Sequence, residues 1–444
     1  VKSFPRTQLA GVFGILFVGK GDSMKKLVKT LFFVLVFVLA TGISSLAQEP
    51  DQVSAGYLSN AGDKSGAVAP RGHRNGQGHA NGIANIDSLV NFNDHFMAGG
   101  VDQFGNPQHI WYYNMVGTAP QHKGATTFNA PIVPVTLDLR NFDGSPRFVG
   151  GQPLISHPDP FIQPTLNSPV FQNFTYSSSD VPTQFTDAVQ RAEFFDRAKP
   201  DWHTLLNPSV KTGRTMVLIR GTYRFALNGD GSCCLFVLVD INAFGNALFP
   251  STFPFDNSTP VGAAENAGDI TTKDISTFLF PNTYLYFNGD PNQCCVLGYH
   301  TYDVEPGIPS NGNLERRYVL NYSSWITPGL FGGGFEDVTA LSHELSETFN
   351  DPFVASDGIH NITPWWLAPN GNCQDNLEVG DVIEGLPMAV FPITMNGMTY
   401  HPQNEALLQW FEFEAPSSAI GGAYSYPNPG TLTTLSAPQN LGCQ

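Results

Sequence analysis

One stretch specifies helix geometry and chemistry together, and the rest of the chain has to be arranged around it: Phe335 to Pro352, FEDVTALSHELSETFNDP. Gly332, Gly333 and Gly334 let the chain turn into a helix over 335–350, Glu336 and Asp337 place negative charge in its first turn, and Pro352 stops it. At about 100° per residue, Val338, Leu341, Leu345 and Phe349 form an apolar stripe, while His343 and Glu347 lie about 40° apart on the opposite side. The expected helix has a packing face and a chemical face.

His343-Glu344-x-x-Glu347 is the zincin pattern H-E-x-x-H with glutamate for the second histidine. Spacing i, i+4 lets His343 and Glu347 grip one zinc ion, and Glu344 between them can act as base to a water on that ion. The substitution adds negative charge, so such a water is acidified less than beside two imidazoles. The competing reading is a solvated helix face, in a chain with 11 histidines.

Charged residues make up 14% of the 444-residue chain, against 44 Gly and 34 Pro, which argues for many turns, short strands and few long helices. Residues 1–47 carry six of the Lys/Arg residues and one acid, which leaves 16 bases against 37 acids and a net charge near −21. Nucleic acid is excluded as an expected partner.

Met24-Lys25-Lys26-Leu27-Val28-Lys29, the apolar run Leu31 to Ala40 and then Ser45-Leu46-Ala47 read as a signal peptide over 24–47. The run is shorter than the ~20 residues a membrane span needs, so no stable span is expected after cleavage. The protein is expected to be secreted, extracellular or periplasmic. Residues 1–23 precede a normal signal and read as an over-extended N-terminus.

All six cysteines fall in the exported part, which makes disulfides the expectation. Cys233-Cys234 and Cys294-Cys295 each follow a Gly-Asp turn, and adjacent strand residues point to opposite faces. Bridging between the two pairs is therefore expected, rather than within either. A thiolate metal site is the alternative, weakened by the lack of C-x-x-C spacing.

Residues 48–124 are rich in Gly, Asn, Ala and Ser and read as a flexible leader, in which His73 and His79 are solvated. The patch His109-Ile110-Trp111-Tyr112-Tyr113 is where the folded part can already begin. Strand signals run from Phe128 to Leu139, Arg214 to Leu227, Leu235 to Ile241, Thr283 to Phe287, Val296 to Val304 and Arg317 to Trp325. Phe185, Ala188, Val189, Ala192 and Phe195 give a second amphipathic helix in 182–198, able to back the first. Residues 125–414 thus read as one metal-binding domain, and 415–444 as a Pro/Ser/Gly-rich tail that Cys443 staples back. The fold class expected is α+β and zincin-like: a twisted mixed or antiparallel sheet, an active-site helix and a backing helix.

A zinc site needs a third protein ligand, often an acid some tens of residues beyond the helix, and a further carboxylate to orient a ligand histidine. Glu378 and Asp381 fill both jobs, with Glu378 preferred as ligand and Asp381 as the outer partner of His343; a solvated turn over 376–385 is the alternative. His360 and His401 are rival third ligands. His300 lies within a strand-like run and is either a satisfied core histidine or a donor to a developing oxyanion.

The order Gly298-Tyr299-His300, then His343-Glu344-Leu345-Ser346-Glu347 with Asp351-Pro352, then Glu378-Val379-Gly380-Asp381 with Glu384-Gly385, then Met395-Asn396-Gly397 and Leu408-Gln409-Trp410 resembles the plant phosphate-induced (EXORDIUM-like) proteins and their bacterial secreted relatives. The resemblance covers roughly residues 280–413 and implies a secreted protein with a zincin-like site. Where such relatives carry Cys two residues after the aspartate, this chain has Ile383, and Cys373 is the candidate to replace it.

Two functions are then open. The leading one is zinc-dependent hydrolysis of a peptide or protein substrate, with the metal on His343, Glu347 and Glu378 or Asp381. The other is a non-enzymatic extracellular or cell-surface binding protein with a structural metal site. Glu344, not needed as a ligand, favours the enzyme.

Overall fold

The computed structural model describes residues 49, 51–59, 61, 86–101, 107–176, 181–250, 257–354, 366–374, 377–412 and 422–434. Residues 24–47, expected to be a signal peptide, and His73, His79, His360 and Cys443 lie outside them. The chain divides into two compact units, Val1–Pro50 and Asp51–Gln444, and the fold described is that of the second. No helix among the described residues is long and apolar enough to cross a membrane.

Strands dominate a mixed α/β architecture. The 16-residue strand Ala125–Arg140 is the hub of an eight-stranded sheet. Its neighbours His203–Val210, Arg214–Ile219 and Ile275–Pro281 all run parallel to it. Ile275–Pro281 is followed across the sheet by Glu315–Trp325, also parallel, and then by the antiparallel Gly298–Glu305. The sheet is mixed, as expected, but its pairings are mainly parallel. Parallel neighbours need long crossovers, and the crossover from Arg214–Ile219 to Ile275–Pro281 carries two helices, Ile241–Leu248 and Pro260–Ala267.

Those two helices cover one face, where Phe244, Leu248 and Val261 pack with Phe278, Phe280 and Tyr322. The motif helix covers the other. Val338, Leu341, Leu345 and Phe349 sit in one cluster with Ile132, Leu279, Val319 and Trp325. Burying each of these large side chains contributes about 2 kcal/mol, so the apolar stripe fixes which way the helix turns its polar side.

The helix itself runs Thr339–Asn350, shorter than expected, and all 12 of its residues are buried. Its polar side is therefore not a solvated face. Ser342, Ser346, Thr348 and Asn350 donate to carbonyls one turn back, Thr339, Ser342, Glu344 and Ser346, which gives these donors partners without water. Glu336 and Asp337 lie before the first turn rather than in it. Asp337 has φ +38° and accepts from Val338 N at 2.6 Å and His401 N at 2.8 Å, tying the helix entry to a distant loop.

The backing helix spans Phe185–Glu193 and packs on the motif helix. Phe194, not Phe195, completes its buried stripe, because the helix, expected within 182–198, ends at Glu193 and leaves Phe195 exposed. Among the strands that escaped the sequence reading are two long ones of the large sheet. Ile275–Pro281 is buried at every position and so shows no alternation, and His203–Val210 carries Pro208, tolerated because that strand pairs on one side.

The cysteine pairing expected from sequence is overturned: Cys233 is bonded to Cys234, and Cys294 to Cys295. Both pairs do lie in one four-stranded sheet, ordered Tyr223–Leu227, Cys233–Asp240, Thr283–Tyr286, Cys294–Val296. Thr283–Tyr286 stands between them. Two strand spacings are about 9.5 Å, beyond the ~7 Å that a disulfide's Cα atoms can span.

The leader is also shorter than composition implies. Asn91–Val101 and Pro107–Val116 pair as a hairpin whose Phe92, Phe96, Trp111, Tyr113 and Met115 enter the core, and Ile86–Asp87 joins the large sheet. Earlier still, Asp51 is held by Arg147 at 3.1 Å and Arg220 at 2.7 Å. At the other end, Tyr424, Tyr426 and Leu432 are core residues, so residues 422–434 belong to the body and not to a tail.

Candidate metal centre

Three pieces of chain converge on the polar side of the motif helix. The helix supplies His343, Glu344 and Glu347. The strand Gly298–Glu305 alternates its faces, sending Tyr299 into the far core and His300 toward the helix. The turn following Leu377 supplies Glu378 and Asp381. All six side chains belong to residues at most 7% exposed.

Nε2 of His343 is 3.1 Å from Glu347 Oε1 and 3.3 Å from Asp381 Oδ1. Nδ1 of His300 is 3.3 Å from Glu347 Oε2, 3.7 Å from Glu344 Oε2 and 3.9 Å from Glu378 Oε2. Glu347 thus turns one oxygen to each imidazole. His300 is neither an isolated core histidine nor a donor standing apart for substrate; it lies among the acids.

The supports were not all foreseen. Gly380 N and Asp381 N each donate to Glu347 Oε1 at 3.1 Å. Gln403 Nε2 donates to Gly380 O at 2.8 Å and lies 3.1 Å from His343 Nδ1. The outer partner of His343 is therefore Gln403; Asp381, expected in that role, meets the other ring nitrogen. Space matters as much as polarity. A Cβ on Gly380 would lie 2.7 Å from His343 Cγ, and one on Gly298 would lie 2.6 Å from Glu344 Cγ. Among the rivals, His401 is taken up elsewhere, 2.7 Å from Asp337 and 3.3 Å from Glu336 at the helix entry.

Burial by itself would push the imidazole of His343 down, but Glu347 first, with Asp381 and Glu344, holds it well above the usual range. Burial opposes His300 in the same way, and Glu378, Glu344 and Glu347 raise it. Burial, then Glu347, pushes Glu378 well up, and burial lifts Glu344 to about 7 against the pull of His300 and His343. Glu347 goes the other way: burial would raise it, yet His343 and His300 hold it below the usual carboxylate range. Without metal, the cluster balances its acids by holding protons.

A raised group contributes stability that is complete below its unfolded value and lost as pH rises through its folded value. For the two imidazoles that loss begins above 6.5, and Glu378 acts with the same sign from 4.5. Chelator-treated protein should therefore melt at a lower temperature at about pH 9 than at about pH 6, while zinc, which replaces those protons, should flatten or reverse the trend. Thermal unfolding across that range in EDTA checks it; a rising melting temperature would contradict the assignment.

The residues fit a divalent transition metal. Ligands at about 2.0–2.2 Å from zinc stand roughly 3.4 Å from one another at tetrahedral angles, close to the separations found. Donor atoms of His343, Glu344 and Glu347 all lie within 4.8 Å of one another, as do those of His300, Glu347 and Glu378. His343 Nε2 is buried and, despite its near carboxylates, makes no aligned hydrogen bond. Once Nε2 is deprotonated, that nitrogen could accept an ion among these carboxylates.

No family model, curated protein or solved structure matches this chain. The functional reading therefore stands on the geometry of its own residues.

Proposed function

We propose that this chain is an exported zinc-dependent hydrolase of peptide bonds, with a zincin-like arrangement of helix on sheet. The observation that carries the reading is the convergence of Glu347 and Asp381 on His343 Nε2, a ring nitrogen without an aligned partner, with Glu344 beside them and Glu378 on the neighbouring His300. Zinc, when bound, supplies Lewis acidity to the scissile carbonyl and to an attacking water. His343 and Glu347 would hold it, with Glu378 or Asp381 as third ligand, so the helix and the turn together set its position. Glu344, lifted to about 7, is poised to take a proton from water and return it to the leaving amine. Gly298 leaves its carboxyl room. The acid excess of the exported part favours peptide or protein substrates over nucleic acid.

A second reading has one observation in its favour. All six side chains are buried, as at a structural site closed by protein ligands, which suits an extracellular binding protein. Metal analysis of the purified mature chain, with hydrolysis of an unfolded protein measured before chelation, after it and after zinc is restored, separates the two. Zinc-dependent cleavage is the expected result. Tight zinc without cleavage of any peptide library transfers the protein to the second reading, and absence of bound metal removes both.

A further inference from the structure

We infer that the centre takes two divalent cations, bridged by the carboxylate of Glu347. The inference rests on the metal-site reading above and extends it. A carboxylate whose two oxygens face separate donor sets has the form of a bridge. Glu347 has Oε1 3.1 Å from His343 Nε2 and Oε2 3.3 Å from His300 Nδ1, so its two oxygens face two imidazoles contributed by different elements.

Each imidazole also has further carboxylates: Asp381 Oδ1 at 3.3 Å from His343, and Glu344 Oε2 at 3.7 Å and Glu378 Oε2 at 3.9 Å from His300. A carboxylate bridge suits ions about 3.5–4 Å apart, the separation of two-metal hydrolytic sites. Gly380 N and Asp381 N, both 3.1 Å from Oε1, fix the carboxylate in place between the two imidazoles.

The test is a count of ions, which does not depend on activity. Chelator-stripped mature protein is titrated with zinc, and bound metal is counted by native mass spectrometry and elemental analysis. Wild type is expected to take two ions per chain, His300→Ala and His343→Ala one each, and Glu347→Ala none. With cobalt(II) in place of zinc, the paramagnetic resonance signal per ion should be attenuated by coupling in wild type and restored in the single-histidine variants. The wild-type count is decisive by itself should a variant fail to fold. One ion in wild type, kept by His300→Ala and lost by His343→Ala, overturns the pair and leaves the one-zinc hydrolase standing. Two ions that both survive His300→Ala place the second elsewhere and also overturn it. No ion at all removes the inference and the proposed function together.

Discussion

Glu344→Gln is expected to lower hydrolysis of an unfolded protein substrate by a factor of at least ~10², the scale of a positioned base, while bound zinc stays near wild-type stoichiometry. The reasoning separates two acids within one turn. Glu347 shares the face of His343 and is 3.1 Å from it, whereas Glu344 lies about 100° round the helix. Glutamine keeps the shape that Gly298 accommodates, and the bond from Thr348 Oγ1 to the main-chain oxygen of Glu344 is untouched. Losing a carboxyl lifted to about 7 removes a group whose proton exchange is centred near neutrality. Rate, metal content and melting temperature are measured on the same preparation. A variant with wild-type turnover would sink the general-base role.

Gly380→Ala should be nearly as damaging without removing any donor. Its Cβ would enter within 2.7 Å of His343 Cγ and Nδ1 and 2.8 Å of Cε1, a closeness that no real contact tolerates. The ring must then move away from Gln403 and Glu347, or the turn must move and withdraw the Gly380 N–H from Glu347. Overpacking of this kind costs about 1–3 kcal/mol, and displacing the support of a ligand histidine costs roughly 10–100-fold in metal affinity. Zinc affinity by competition with a chelating dye, together with the melting temperature of the stripped protein, reads both effects. Unchanged affinity would mean that His343 is not a ligand where it stands.

Much of the site was legible because its chemistry is written locally. The stripe Val338, Leu341, Leu345, Phe349 sets the helix by its period, and His343, Glu344 and Glu347 then follow from spacing. Glu378 and Asp381 could be singled out because a metal needs acids beyond the helix. Their division of labour could not, since it depends on which ring nitrogen each meets. Gln403 gave no signal, being a neutral amide in a loop, and Gly298 and Gly380 stood in recognisable motifs without showing that the atoms they spare belong to Glu344 and His343. The disulfides were misread for a topological reason: a third strand lies between the two cysteine pairs. In the same way, the buried parallel strand Ile275–Pro281 hid itself by having no exposed face to mark.

The parallel order of the large sheet carries a consequence for how the protein comes to exist. Ala125–Arg140 pairs along its length with His203–Val210, Arg214–Ile219 and Ile275–Pro281, none of which is its neighbour in the chain. Pairings of high sequence separation must close large loops before they return any stabilisation, so such sheets assemble slowly. The proposed ligands are scattered likewise: His300 lies on a strand reached after the hub is paired, His343 on a helix that follows it, and Asp381 further on. On the proposed reading, a metal ion offered early would meet a chain that has no site for it. Loading would then belong to the end of folding, and for a chain exported as proposed the metal would be acquired from the surroundings into which the finished chain is delivered.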